Sequence, residues 1–222
     1  MTVQFGDVMD EQINQRVFQL SAQLQKDPIE DILDIIPAYA SLTVVYDPVK
    51  VKNIAGSCIN AYVMEQLRNS IAQINDAGFL SSRKVNIPVC YDPSLGIDIE
   101  TMAKEKNMSV KALISFHTSM AYRVYMIGFL PGFAYMGMVD ERIATPRKAT
   151  PRQLVASGSV GIAGSQTGVY PLDSPGGWNI IGQTPLKMFD KERAQPCLLQ
   201  PGDEILFEPI SLAEFRKIKD QQ

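Results

Sequence analysis

His117 is the single histidine of the chain, and so its one side chain whose ordinary pKa lies near neutrality. It is a candidate proton carrier; the alternative is a histidine that caps a helix or sits satisfied in a core. Further along, Arg142, Arg147, Lys148 and Arg152 gather positive charge against Glu141, in a protein whose formal net charge is −3. Arginine forks pair bidentately with carboxylate or phosphate. Two of these arginines close a repeated unit, Thr145-Pro146-Arg147 and Thr150-Pro151-Arg152, in which proline fixes φ and stiffens the backbone. Stiffly presented arginines fit an anion site better than a solvated charged loop.

More polar and aromatic candidates follow. Gly158-Ser159-Val160-Gly161-Ile162-Ala163-Gly164 carries glycine at every third position. It is neither GxGxxG nor a P-loop, because the terminal GK[ST] is missing. It reads as a strand with bulges or close backbone approach. Gln166, Thr167 and Tyr170 bring an amide, a hydroxyl and a phenol that suit a polar ligand at the mouth of a barrel. Ser174-Pro175-Gly176-Gly177-Trp178 sets the only tryptophan behind a flexible turn. Phe129-Leu130-Pro131-Gly132-Phe133 is a second aromatic turn, suited to an apolar wall or lid. Thr118 and Ser119 beside His117 make no triad, and there is no Gly-x-Ser-x-Gly elbow.

The elements that must position these groups fall into two styles. Residues 2–6 read as a short strand. Ile13, Val17, Leu20 and Leu24 then share one helical face, with Asp10 as N-cap. Residues 32–36 and 42–46 read as strands, the second apolar on both faces, as a covered strand is. After a proline-containing loop, Ile59, Val63, Leu67, Ile71 and Ile74 mark a second helix, with Gly78 as its stop signal. Val85, Ile87 and Val89 alternate as another strand. The order is β-α-β-β-α-β, the ferredoxin-like split pattern. Beyond Tyr91, residues 97–106 and 109–116 read as short helices, the second capped by Ser109 and ending at His117. Ten of the fifteen glycines lie between Gly128 and Gly182, which points to short strands and tight corners, as in a small barrel. Gln200-Pro201-Gly202-Asp203 turns into a strand over 204–208, and Ser211 with Glu214 forms a capping box for a last helix. The fold expected is α+β, with a ferredoxin-like domain over 1–86 and a β-barrel domain over 87–222.

The 222 residues are 45% hydrophobic and 20% charged, an ordinary globular composition with mass enough for real cores. The acidic balance argues against nucleic acid as a partner. No apolar run approaches the roughly 18 residues of a membrane span, and the polar, acidic start does not read as a signal peptide. Cys58, Cys90 and Cys197 are few, odd in number and far apart. Neither a disulfide framework nor a metal site is expected from them, and a cytoplasmic location fits best.

One family shares these motifs in order. The series His117-Thr118-Ser119, Tyr125-Met126-Ile127-Gly128-Phe129-Leu130-Pro131-Gly132-Phe133-Ala134-Tyr135-Met136-Gly137, the two Thr-Pro-Arg units after Ala144, the glycine-spaced run 158–164, Gln166-Thr167-Gly168-Val169-Tyr170-Pro171 and Ser174-Pro175-Gly176-Gly177-Trp178 resembles the family of the 5-oxoprolinase B subunit. It is also described as the sporulation-kinase inhibitor family, and its domain as allophanate hydrolase subunit 1 or a carboxyltransferase subdomain. The match covers almost the whole chain and is dense from His117 to Pro185.

The resemblance implies a small α+β domain followed by a cyclophilin-like β-barrel. It implies an enzyme subunit that acts with subunits A and C to open 5-oxoproline to L-glutamate with ATP hydrolysis. ATP and Mg are expected across the subunit interface, and the chain alone is expected to be inactive. The alternative is a regulator that binds a sensor histidine kinase and inhibits its autophosphorylation. Related domains in urea amidolyase transfer a carboxyl group from carboxybiotin, but no biotin is expected on this chain. Motif position and chemistry together give His117, Arg147 and Arg152 as expected catalytic groups. Gln166, Thr167, Tyr170, Pro131, Gly132, Phe133, Ser174 and Trp178 are the expected substrate contacts. Two departures from the family pattern are visible. A Gly-Asp-Ser-Ala-like stretch before Phe5-Gly6-Asp7 is absent, and Ala134 and Ala156-Ser157 stand where proline and Pro-Ala are frequent.

Overall fold

Asp10 has extended backbone, φ −133° and ψ 141°, and its side chain accepts from the Ile13 amide, which makes it an N-cap. The computed structural model describes residues 1–55, 58–74 and 83–221. In it the capped helix α1 (Glu11–Lys26) follows β1 (Thr2–Gln4). β2 (Ile32–Pro37), β3 (Ser41–Tyr46), α2 (Pro48–Ala55) and α3 (Ile59–Ala72) come next. The segment expected as a proline-containing loop is therefore helix α2. Asp47 accepts from the Val49 amide at 2.9 Å, and Pro48 takes the first helical position, where its missing N–H leaves no bond unmade. The stop signal at Gly78 lies outside the described residues.

β1, β3 and β2 form an antiparallel sheet in that spatial order. Leu42 and Val44 of β3 pack with Val17, Leu20 and Leu24 of α1 and with Val63 and Leu67 of α3. Val45 between them is 38% exposed, so β3 is covered on one face rather than on both. Its apolar outer residue had made it read as doubly covered.

The second half contains β4 (Lys84–Val89), α4 (Ile99–Glu105), α5 (Val110–Thr118), β5 (Tyr122–Ile127), β6 (Ala134–Gly137), β7 (Arg152–Val155), β8 (Ser159–Ala163), β9 (Gln166–Val169), β10 (Ser174–Gly176), β11 (Asn179–Gln183), β12 (Glu204–Pro209) and α6 (Leu212–Lys219). β4 was expected to complete the first sheet. It pairs instead in parallel with β12, Val85 opposite Ile205 and Ile87 opposite Phe207. Just ahead of the two strands, the Arg83 guanidinium forks onto the Asp203 carboxylate at 3.1 and 2.5 Å, joining the ends where both begin. Alternating apolar residues identify a strand but carry no address for its partner. The chain accordingly divides into Met1–Ser81 and Ser82–Gln222, whereas a boundary at 86/87 cuts β4. The first unit's described residues lack the last strand of the ferredoxin-like pattern.

In the second unit seven strands form one sheet, in the order β11-β8-β9-β6-β5-β12-β4. Its two edges meet where Cys90, following β4, and Gln183 of β11 exchange two backbone hydrogen bonds of 2.9 Å. That contact nearly closes the sheet into a barrel and shields edges that would otherwise stay unpaired. Ile87, Val89, Tyr122, Val124, Met136, Val160, Ile162 and Phe207 fill the inside, together with Ile99 and Met102 of α4 and Leu113 of α5. The other face of the same sheet carries a second apolar layer of Phe133, Ala163, Tyr170, Trp178 and Ile180. Val155, from a two-stranded ribbon of β7 and β10, joins that layer. Among the described residues no helix is long and apolar enough to cross a membrane.

The loop into α4 passes tight against β11. A Cβ at Gly96 would lie 2.3 Å from the Ile181 carbonyl oxygen, so backbone has to move to admit one. Gly96→Ala is expected to destabilise the protein by about 2 kcal/mol, measured by denaturant unfolding. An unchanged midpoint would mean that this contact is absent in solution.

Candidate functional site

Asp98 directly precedes α4, yet its carboxylate caps nothing in that helix. Oδ1 accepts from Lys148 Nζ at 2.8 Å and from Arg152 Nη2 at 2.5 Å. Oδ2 accepts from the Ile180 amide at 2.7 Å, while the Asp98 amide donates to the Ile180 carbonyl at 2.9 Å. Burial pushes the Asp98 pKa up, but Lys148, Arg152 and the Ile180 amide outweigh it and hold the group below the usual carboxylate value. The basic segment is fastened by backbone as well. Lys148 N donates to Gly177 O at 2.8 Å, Asn179 Nδ2 donates to Pro146 O at 2.9 Å, and Thr145 exchanges two bonds with Gly164. The proline-stiffened backbone is thus held against the outer face of the barrel.

A cleft of about 250 Å³ opens on this face. Its wall is built from Phe129, Phe133, Tyr135, Tyr170 and Trp178, its rim from Arg147, Lys148, Pro151 and residues 175–177. Phe133 is the hub. Its ring stands edge-on to Tyr135 at 4.8 Å, Tyr170 at 5.3 Å, Trp178 at 5.4 Å and Phe129 at 5.6 Å, a geometry aromatic quadrupoles favour. The glycine-spaced run explains how the rings fit. Gly161 and Gly168 face each other across β8 and β9. A Cβ on Gly161 would lie 3.0 Å from Trp178 Cβ, and one on Gly168 3.0 Å from Trp178 Cζ3 and 3.1 Å from Phe133 Cζ. The close approach expected at this run is made by aromatic side chains settling into a hollow in the sheet. The Arg147 guanidinium lies 5.9 Å above the Trp178 ring, within cation–π reach. Among the described residues no acidic side chain lines the cleft.

Of the expected site residues, Arg147, Phe133, Tyr170 and Trp178 come together here. Arg152 sits beside the cleft, occupied by Asp98. Ser174 is buried in β10 with its hydroxyl unpartnered among the described residues. Pro131 and Gly132 form the turn before Phe133, and Gly132, at φ 83°, backs onto Met188 and Phe189. Gln166 opens β9 opposite Gly137, outside the cleft. Phe129, expected in an apolar wall or lid, lines the cleft, as does Lys148 of the basic run; sequence reading missed Asp98 and gave Tyr135 only as part of a family motif. Asp98 lies 54 positions from Arg152, so nothing local marks it as the counter-charge.

His117 and Thr167 are fully buried on the inner side of the barrel. Thr167 Oγ1 donates to Gly161 O at 3.1 Å, so it accepts from His117 Nε2–H at 2.9 Å. Nδ1 is left to accept the Tyr91 hydroxyl at 2.8 Å. The imidazole stacks on Phe207 at 4.6 Å, and burial lowers its pKa to about 3. The expected proton carrier is thus a neutral core histidine with both nitrogens engaged, and it does not line the cleft. The cleft lies on the barrel's outer wall rather than at a barrel mouth, because side chains fill the interior.

Comparison with known proteins follows the same lines. A family model described as the carboxyltransferase domain, subdomain C and D, matches residues 1–199. The B subunit of 5-oxoprolinase from Bacillus subtilis (strain 168) is 40% identical over 224 residues, covering 100% of this chain and 93% of that protein. Its counterpart of the same name from Escherichia coli O157:H7 is 39% identical over 194 residues, covering 87% and 84%. Among solved structures, TTHA0988 superposes with a TM-score of 0.82 at 34% identity, over 95% of this chain and 40% of that one. The present chain therefore spans less than half of that solved chain.

Two titrations test the buried groups. Native His117 stays unprotonated down to about pH 3, while the unfolded chain takes up the proton near its ordinary value of 6.5. The His117 contribution is complete above the unfolded value and is lost as pH falls toward 3, by up to about 1.4 kcal/mol per pH unit. Unfolding free energy measured across that window should fall less steeply in His117→Gln than in the parent; equal slopes would place His117 in contact with water. Asp98→Asn should cost about 2 kcal/mol at neutral pH. Because the native Asp98 pKa lies below its ordinary 3.8, that difference should persist above this value and close as pH falls through the lowered one. A difference that is constant down to the acid limit would mean the Asp98 carboxylate is not what the cations hold.

Proposed function

This chain belongs to the family of the 5-oxoprolinase B subunit, within the carboxyltransferase domains, and from that premise we propose that it is a subunit of a cytoplasmic, ATP-dependent 5-oxoprolinase. Subunits A and C are its partners, and the reaction opens the lactam of 5-oxoproline to L-glutamate. The observation that supports the reading is the cleft, whose rim bears cations and whose wall is aromatic. 5-Oxoproline is a small, nearly flat lactam with one carboxylate. Arg147 takes the carboxylate by charge-assisted hydrogen bonds, and the Phe133, Tyr135 and Trp178 rings flank the apolar ring carbons. Tyr170, its phenol pushed above the ordinary pKa by burial, stays protonated and is available as a donor to the lactam carbonyl. The kinase-binding alternative calls for an exposed apolar docking face rather than a cation-rimmed cleft.

A lactam carbonyl is a poor electrophile, and ATP would supply the activation that the ring amide lacks. The cleft does not fit the nucleotide. At about 250 Å³ it falls below the ~300–1,000 Å³ of pockets for larger ligands. Among the described residues no three acidic, histidine or cysteine side chains converge on a metal ion. Our reading puts ATP and Mg at surfaces completed by a partner subunit, with this chain holding and orienting the ring acid.

Co-expression with subunits A and C, followed by measurement of ATP-dependent glutamate release from 5-oxoproline, tests the proposal. Turnover is expected from the complex and none from this chain by itself; robust solo turnover would remove the shared site. In the complex, Arg147→Ala should raise the KM for 5-oxoproline by about tenfold or more, and an unaltered KM would take Arg147 out of the site.

A further inference from the structure

Lys148 carries a role that the family relationship does not assign. Asp98 is saturated, with two cations on Oδ1 and a backbone amide on Oδ2. Within this cluster three positive side chains, Arg147, Lys148 and Arg152, face one negative group, so two positive charges stay uncompensated. Their placement divides them. Arg152 is directed to Asp98 and toward the Trp178 carbonyl, at 3.5 Å, and does not line the cleft. Arg147 and Lys148 both do. An ammonium has three N–H donors, and Asp98 engages one of those on Lys148. The Lys148 side chain is 29% exposed, so it is partly withdrawn from water and fixed in direction, with donors left over. Both lie on the irregular backbone between Thr145 and Pro151, which is bonded to Gly164 and Gly177.

We propose that Lys148 and Arg147 together form a carboxylate clamp on the aromatic cleft, and that Lys148 sets its preference for a small flat ring acid over the same ring without its acid group. The identity of that acid as 5-oxoproline rests on the oxoprolinase reading; the clamp itself does not. Asp98 holds Lys148 at the rim and keeps Arg152 out of the clamp.

Trp178 is the only tryptophan and forms part of the cleft wall, so its fluorescence reports binding in the full chain without partners or ATP. The probes are 5-oxoproline and 2-pyrrolidinone, the same lactam without a carboxylate. The parent chain should bind 5-oxoproline at least about tenfold more tightly, the size of one charge-assisted hydrogen bond in a partly dry site. Lys148→Ala should remove most of that preference while leaving 2-pyrrolidinone binding unchanged, and Lys148→Arg should retain it. Because Asp98 keeps Arg152 and the Ile180 amide in Lys148→Ala, the melting temperature is a fair check that the fold persists. A full preference in Lys148→Ala, or no Trp178 response to 5-oxoproline in the parent chain, overturns the clamp. Binding with the expected preference but no ATP-dependent turnover by the assembled complex would instead sink the oxoprolinase reading and leave the clamp standing.

Discussion

Asp98 stands where three parts of the second unit converge: the start of α4, the strand β11 and the basic segment between β6 and β7. A buried carboxylate is costly unless its oxygens are fully engaged. Here two side-chain cations and one backbone amide engage it. The dependence runs in both directions. Without the carboxylate, Lys148 and Arg152 would repel each other and Arg147 from neighbouring positions. Without those cations, the carboxylate would be unpaired in the protein interior. One group thus fixes both where the basic segment lies and which of its charges stay available.

The barrel gives that arrangement a surface to work on. Successive strand residues point to opposite faces, so Val160 and Ile162 enter the inner core while Gly161 and Ala163 meet the outer layer. The inner face is filled by side chains, His117 and Thr167 among them. The outer face is hollowed by Gly161 and Gly168, and Trp178 and Phe133 settle into the hollow. A cleft on the outer wall is open to a second protein surface in a way that a barrel interior is not.

His117 shows how the same chemistry reads differently by context. A lone histidine near neutral pKa is a natural proton carrier, but one held between Tyr91 and Thr167 and stacked on Phe207 is a structural polar group. Its value is specificity of packing, since each of its nitrogens needs one partner in one place. Motif position drew attention to it for a role that its surroundings do not support.

Sequence alone determined the parts of this protein that depend on neighbours within a few residues. Asp10, Ser109 and the Ser211–Glu214 box cap the helices expected of them. Alternation marked the strands, and glycine density marked the barrel. The ordered motifs marked the family, and the two Thr-Pro-Arg units marked a stiffened basic segment. Tertiary structure decided everything that depends on closure of the sheet. It paired β4 with β12 and Arg83 with Asp203, 120 positions apart, paired Asp98 with Arg152, turned His117 inward and Trp178 outward, and left Lys148 facing the cleft. Caps and periodicity are local hydrogen bonds and local geometry, written in adjacent residues. Charge partners and strand neighbours are set by which distant segments the nearly closed barrel brings together, and no short stretch of sequence contains that information.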